Sequence, residues 1–388
     1  MNRIYMDYAA TTPVDDRVRK AMEPYWTEKF GNPSSIHGFG QETMEAVEIA
    51  RKNVASLLHT NPSEIIFTSG GSESDNTAIK SISLALREKG NHIITSNIEH
   101  HAVYHTCEFM TSQGFDVTFM PVDSTGILDP SDVEKAITKK TVLISIMHAN
   151  NEIGSLQPIT EIGSIARKNG VLFHTDAVQS YGHLEIDVNK MGIDLLSLSA
   201  HKLYGPKGIG ALYLRKDTPF VPFMHGGSQE QGRRSSTSNV TGIVGLGKAS
   251  ELAEKEMVKE HQDVKRLRDK LLDKIQNQID GVHLNGHPTH RLPNNIHLSI
   301  DHVEGESLLM NLDLEGIAVS SGSACSAGST EPSHVLTGLG LSLDQSKGSV
   351  RISLGKFNTE QEVDFVADTL KRVVEQLRSL SPFAGKSK

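Results

Sequence analysis

From residue 64 onward, short apolar runs alternate with segments of helical periodicity, and few folds accommodate that alternation. "EIIFTS", "HIITS", "DVTFMPV", "TVLISIMH", "VLFHT", "DLLSLS" and "IGALYL" read as strands. Between the first of them lie "SESDNTAIKSISLALREKG", "HAVYHTCEFMTSQG", "DPSDVEKAI" and "PITEIGSIARKNG", which read as helices. The last carries Pro at its start and Gly just past its end, the expected asymmetry of a helix. Strands that are nearly continuously apolar have both faces buried. The pattern therefore predicts an α/β fold with a mostly parallel sheet and helices on both faces. In such sheets ligands sit at the carboxyl ends of the strands.

A chain of 388 residues exceeds one simple core. The pattern changes near residue 240, where Val264, Leu267, Leu271, Ile275 and Ile279 recur at helical spacing in a charged segment. This predicts a connecting helix into a smaller α+β domain containing "NNIHLSI", "ESLLMNLDLEG", "SVRISLG" and a final helix from Thr359 to about Leu380. The expected division is a large domain over 15–255 and a small one formed by 1–14 and 256–388. A formal net charge of −8 argues against nucleic acid as a partner. No run has the apolar length of a membrane span, so no membrane partner is expected. "MNRIYMDYAATTP" has neither an apolar signal core nor a transit pattern, and a cytoplasmic protein is expected. The two cysteines, Cys107 and Cys325, form no disulfide framework.

The predicted strand ends carry the chemistry. Ser69-Gly70-Gly71-Ser72 precedes a helix, and glycines there let an anion approach free N–H groups. The plainer reading is a turn with Ser72 as N-cap. Neither a Walker loop nor a dinucleotide fingerprint is present. His100 follows another strand and reads either as a core histidine or as a flat partner for an aromatic ring. Asp176 is either a helix cap or the partner of a protonated ring nitrogen, with Gln179 in reach of the same ligand. Lys202 is either a solvated lysine or, with its pKa lowered, a Schiff-base former. His101 and His105 share a helix face but lack the HExxH pattern, and no metal is expected. Anion-binding glycines, an acid for a ring nitrogen and a Schiff-base lysine are together what pyridoxal 5'-phosphate requires.

The sequence resembles the cysteine desulfurases of the NifS/IscS group, within the class V aminotransferase family of fold-type-I pyridoxal-phosphate enzymes. The resemblance runs through "YMDYAATTP", "FGNPSSIHGFG", "FTSGGSESDN", "EHHAV", "HANNEIG", "HTDAVQS", "SLSAHKLYGPKGIGALY", "HGGSQEQGRRSST", "SSGSACS" and "VRISLG". It implies that Lys202 is the Schiff-base lysine, Asp176 the acid on the pyridine nitrogen, and Gln179 the residue near the ring hydroxyl. His100 would stack on the ring and take part in proton transfer. Gly71, Ser72, Ser199 and His201 would hold the phosphate, with Thr237 reaching it from the partner subunit of a homodimer. Asn151 and Arg351 would hold the substrate, Arg351 by its carboxylate. Ala200 and Ser236 stand where the family pattern has glycine.

"SSGSACSAGSTEPS" is rich in small residues, and its Cys325 matches the family's nucleophile. Cys107 instead lies in an apolar-periodic helix, where a thiol is core filler. The implied activity converts L-cysteine to L-alanine and leaves a persulfide on Cys325. The sulfur would then pass to an acceptor protein, such as an iron–sulfur scaffold or a tRNA thiolation enzyme. The alternatives on the same fold are a selenocysteine lyase or another class V enzyme; an aminotransferase has no need of Cys325.

Overall fold

The computed structural model describes residues 3–321 and 333–380. After a short strand β1 (Ile4–Tyr5), seven strands build the main sheet: β2 (Ile65–Thr68), β3 (His92–Ser96), β4 (Asp116–Met120), β5 (Thr141–Ser145), β6 (Leu172–Asp176), β7 (Leu195–Ser199) and β8 (Gly210–Leu214). Their order is β2-β8-β7-β6-β5-β3-β4. β8 runs antiparallel to both neighbours, and the other pairs are parallel. Every residue of β2, β3, β5, β7 and β8 is buried, as their continuous apolar character requires. β6 is buried except at Leu172, and the edge strand β4 is partly exposed.

The helix Val240–Gln278 has 39 residues, about 58 Å at 1.5 Å per residue. Its first half buries Ile243, Leu246 and Leu252 in a core that also draws on Val18, Ile144 and Leu196. Its second half buries Val264, Leu267, Leu271 and Ile275 in another core, with Ile4, Met6, Ile296 and Val374. One rigid element thus carries both cores. The second core is roofed by an antiparallel sheet of β9 (Val282–Leu284), β10 (Asn295–Ile300) and β12 (Ser349–Ser353), in the order β12-β10-β9. There β1 pairs in parallel with β11 (Ile317–Ala318), which brings the start of the chain against its last third.

Two helical features differ from the sequence reading. The helix after β2 spans Gly71–Ala85, with Gly70 at the N-cap and no capping side chain. Ser72 is therefore already inside the helix. Gly70 has φ +155°, a conformation that favours glycine, so the chain turns into the helix two residues early. The helix Gly38–Ser56 has no counterpart in the sequence reading; its buried face includes Thr43, Ala46, Val47, Ala50, Arg51 and Val54.

That helix packs on the long helix where Gly247 meets Ala50, and a Cβ at 247 would overlap Cα and Cβ of Ala50. Gly247→Val should therefore cost about 1–3 kcal/mol through overpacking. A lower denaturation midpoint at unchanged m-value is the expected result.

Candidate active site

A cavity of about 350 Å³ opens at the carboxyl ends of the main strands. Asp176 closes β6 at its floor. One of its oxygens accepts the Val178 N–H at 2.8 Å. Burial pushes its carboxyl up to about 6, while the Val178 hydrogen bond and the Lys202 cation pull it back.

Ser199 ends β7, and the chain then makes a single 3-10 turn, Ala200–Lys202. The turn separates the neighbours in function. His201 presents Nδ1 to the Thr11 hydroxyl at 3.1 Å, and burial pushes its ring down to about 4, so it is neutral. The Lys202 amine donates to the carbonyls of Ala9 at 2.5 Å and Ala10 at 2.8 Å. Gln179 donates to the same Ala9 carbonyl at 3.0 Å.

Gly71 and Ser72 line the opposite wall, at the uncapped start of their helix. The first N–H groups of a helix have no intrahelical partner, so this wall offers donors that suit an anion. A Cβ at Gly71 would come within 2.7 Å of Val178 Cγ2, and glycine keeps that approach open. His100 caps the helix His101–Ser112, its Nδ1 accepting the Ala102 N–H at 3.1 Å. That bond leaves the ring proton on Nε2, and burial pushes the ring down to about 4.

Arg351 comes from β12 and is 2% exposed. It donates to the Asn151 carbonyl at 2.9 Å and to Asp7 at 3.0 Å. Asn151 and Arg351 both line the cavity. The fold thus gathers Lys202, Asp176, Gln179, His100, Gly71, Ser72, Ser199, His201, Asn151 and Arg351 around one space. Thr237 is not among them: it is exposed, away from the cavity. Beside it Ser236 has φ +93°, so the residue that replaces the family's glycine sits in backbone that favours glycine. Cys325 lies outside the described residues. Cys107 is fully buried and its thiol is pushed up to about 12 by burial, which makes it inert core filler.

The sequence reading missed two carboxyls here. Asp75 lines the cavity from inside the helix Gly71–Ala85. Glu99 is fully buried behind His100, held by the Ser96 hydroxyl at 2.6 Å and the Met147 N–H at 3.0 Å. Both look like ordinary polar residues in "SESDN" and "IEHH"; only the packing turns them inward.

The profile of the aminotransferase class-V family matches residues 4–366. A relative named cysteine desulfurase IscS from Dictyoglomus turgidum is 53% identical over 380 residues, covering 98% of this chain and 96% of the relative. A protein of the same name from Methanosarcina thermophila is 54% identical over 383 residues, covering 99% and 95%. Among solved structures, a NifS-like protein superposes with a TM-score of 0.90 at 40% identity, covering 97% of this chain and 99% of its own. SspA in complex with cysteine gives a TM-score of 0.81 at 40% identity, covering 92% and 100%. This chain belongs to the aminotransferase class-V family. It is a pyridoxal-phosphate enzyme of fold type I. The cavity fits that cofactor: an amine, a buried acid and an uncapped helix start line one space. Among the described residues no helix is long and apolar enough to cross a membrane.

Glu99 yields a pH prediction. Burial raises its carboxyl from the ordinary 4.5 to about 8, so the folded state holds a proton that the unfolded state releases. The stability that it contributes is present at low pH and is lost as pH rises through that window. Glu99→Gln cannot ionise. Relative to wild type, the variant should gain about 1 kcal/mol or more between about pH 5 and about pH 9, read by urea unfolding.

Proposed function

We propose that this chain is a cysteine desulfurase, which takes sulfur from L-cysteine, releases L-alanine and holds the sulfur as a persulfide on Cys325. The observation that carries the reading is the convergence of Lys202, Asp176 and the uncapped helix start on a cavity that Arg351 also lines. The high identity to relatives named cysteine desulfurase supports it.

In this reading Lys202 would hold the cofactor covalently, and Gly71, Ser72, Ser199 and His201 would hold its phosphate. Asp176 would pair with its ring nitrogen, Gln179 would serve its ring hydroxyl, and His100 would stack on the ring. When bound, the cofactor supplies an electron sink that loosens bonds at the amino acid's α-carbon. Arg351 takes the substrate carboxylate, with Asn151 beside it. His100, neutral at physiological pH, carries its proton on Nε2 and can hand it on. The Cys325 thiolate attacks the substrate sulfur. The C–S bond breaks, a proton on carbon completes the methyl group of alanine, and both sulfurs remain on Cys325 as a persulfide. For the next turnover the outer sulfur must leave for an acceptor protein. An iron–sulfur scaffold and a tRNA thiolation enzyme are the acceptors we propose, in the cytoplasm.

Mass spectrometry after brief incubation with cysteine tests the nucleophile. Wild type should gain one sulfur on the Cys325 peptide. Cys325→Ser should bind cofactor and cysteine yet lose alanine release by at least about 100-fold, since the activated nucleophile is gone. Lys202→Ala should lose both the Schiff-base absorbance and turnover. A persulfide on Cys107, or normal turnover without Lys202, would defeat the assignment.

We also propose a homodimer. Trp26, Phe30, Ile36 and Phe39 are exposed near the N-terminus, Ile36 to 92%. An apolar group of this kind favours burial against a second subunit. The exposed position of Thr237 supports its reaching a partner's phosphate site. Sedimentation at micromolar concentration should give a dimer, and Phe30→Glu with Ile36→Glu should shift it toward monomer and weaken cofactor retention.

A further inference from the structure

The strip of sheet beneath the cavity is polar where its surroundings are apolar. Ser145, His174 and Ser197 lie on β5, β6 and β7 and are all completely buried. His174 presents Nδ1 to the Ser145 hydroxyl at 2.8 Å and Nε2 to the Ser197 hydroxyl at 3.0 Å. Above this strip sits Asp75, 1% exposed, with one oxygen 3.7 Å from His174 Nε2. An oxygen of Asp75, an oxygen of Asp176 and a ring nitrogen of His100 lie within 4.8 Å of one another.

The charges around Asp75 decide its state. Among the described residues no arginine or lysine is within ion-pair distance of it, and His174 is the one basic group that is. His174 cannot serve as a cation: it is fully buried, both ring nitrogens face hydroxyls, and burial pushes it down to about 3. The other ionisable neighbours are Asp176 and Glu99, both acidic, and His100, which burial keeps neutral; burial and Asp176 push the Asp75 carboxyl well up. Lys202 stands beside Asp176 and His100 and favours ionisation of Asp176. Two carboxyls so close in a buried site do not both ionise against a single amine.

We propose that Asp75 is a positioning residue: a neutral carboxylic acid that directs its proton at Asp176, directly or through one water, and so keeps Asp176 the ionised member of the pair. The inference rests on the proposed pairing of Asp176 with the cofactor's ring nitrogen. That nitrogen then meets one negative charge held in place, rather than two in competition. The proton belongs to the protein and is present with or without the cofactor.

Two measurements on the full chain test this. The first is the infrared difference spectrum of cofactor-free wild type minus Asp75→Asn at about pH 7. A protonated-acid carbonyl band belonging to Asp75 is expected. A carboxylate band there would overturn the proposal. The second is pyridoxal phosphate affinity. Asp75→Ala, which donates nothing, should bind about 10-fold more weakly, the loss of one hydrogen bond to a charged group. Asp75→Asn, which still donates, should restore binding to within about 3-fold. Equal weakening in both variants, or none in Asp75→Ala, would overturn the positioning role. Asp176→Asn separates the underlying reading. If it leaves cofactor affinity and absorbance unchanged while the Asp75 acid band persists, the Asp176 assignment fails, and the role of Asp75 toward it fails with it.

Discussion

Parallel strands buried on both faces allow polar chemistry at one place, the edge where their carboxyl ends emerge. The main sheet obeys this constraint. Asp176 is the last residue of β6 and Ser199 the last of β7, while Gly71 and His100 follow β2 and β3 at helix starts. Asp176 and Ser199 are each carried by a strand paired on both sides, so this part of the site inherits the rigidity of the core. The antiparallel β8 serves the same end. Gly210 at its start lets the chain pass close to Gly70, since a Cβ there would come within 2.8 Å of the Gly70 Cα. The turn into the helix Gly71–Ala85 depends on that approach.

The N-terminal segment fastens this edge to the rest of the molecule. β1 is paired in the second core, yet the residues just after it cross to the cavity. Asp7 holds Arg351, Ala9 accepts from both Gln179 and Lys202, and Thr11 meets His201. Thr12 also donates its hydroxyl to the His201 carbonyl at 3.0 Å. Removing one member of a buried ion pair such as Asp7–Arg351 typically costs about 3–5 kcal/mol, because the other charge is left uncompensated. The segment from Asp7 to Thr12 therefore braces the cavity.

Much of this was legible without coordinates, and the reasons are physical. Apolar runs with both faces buried identify themselves, so β2 to β8 were visible as strands. Val264, Leu267, Leu271 and Ile275 announced the second half of the long helix through their period. The helix Gly38–Ser56 was not read, because its buried face is largely Ala, Val and Thr, a weak contrast against its charged side. Ser72 was read as a cap because its hydroxyl suits one; the positive φ of Gly70 moved the helix start instead. Lys202, Asp176 and Gly71 were legible because strand ends expose them in order. Asp75 and Glu99 were not, since a carboxyl in a helix or a turn reads as solvated until packing shows otherwise. Cys325 was singled out by its small neighbours, and it lies outside the described residues.

The cavity's charges also explain why Arg351 is built from β12 rather than from a loop. A buried guanidinium needs partners in every state, and here Asp7 and the Asn151 carbonyl supply them before any substrate arrives. Its fork is therefore already oriented, and binding a carboxylate there loses little side-chain entropy. In the proposed reading, Asp7 must in turn tolerate a second carboxylate close by. Burial raises its carboxyl while Arg351 and, to a lesser degree, Lys202 lower it, so its charge depends mainly on sharing the Arg351 cation. In the proposed reading, a substrate carboxylate competes with Asp7 for Arg351. Affinity for the amino acid is thereby moderated by the same ion pair that joins the N-terminal segment to the second core.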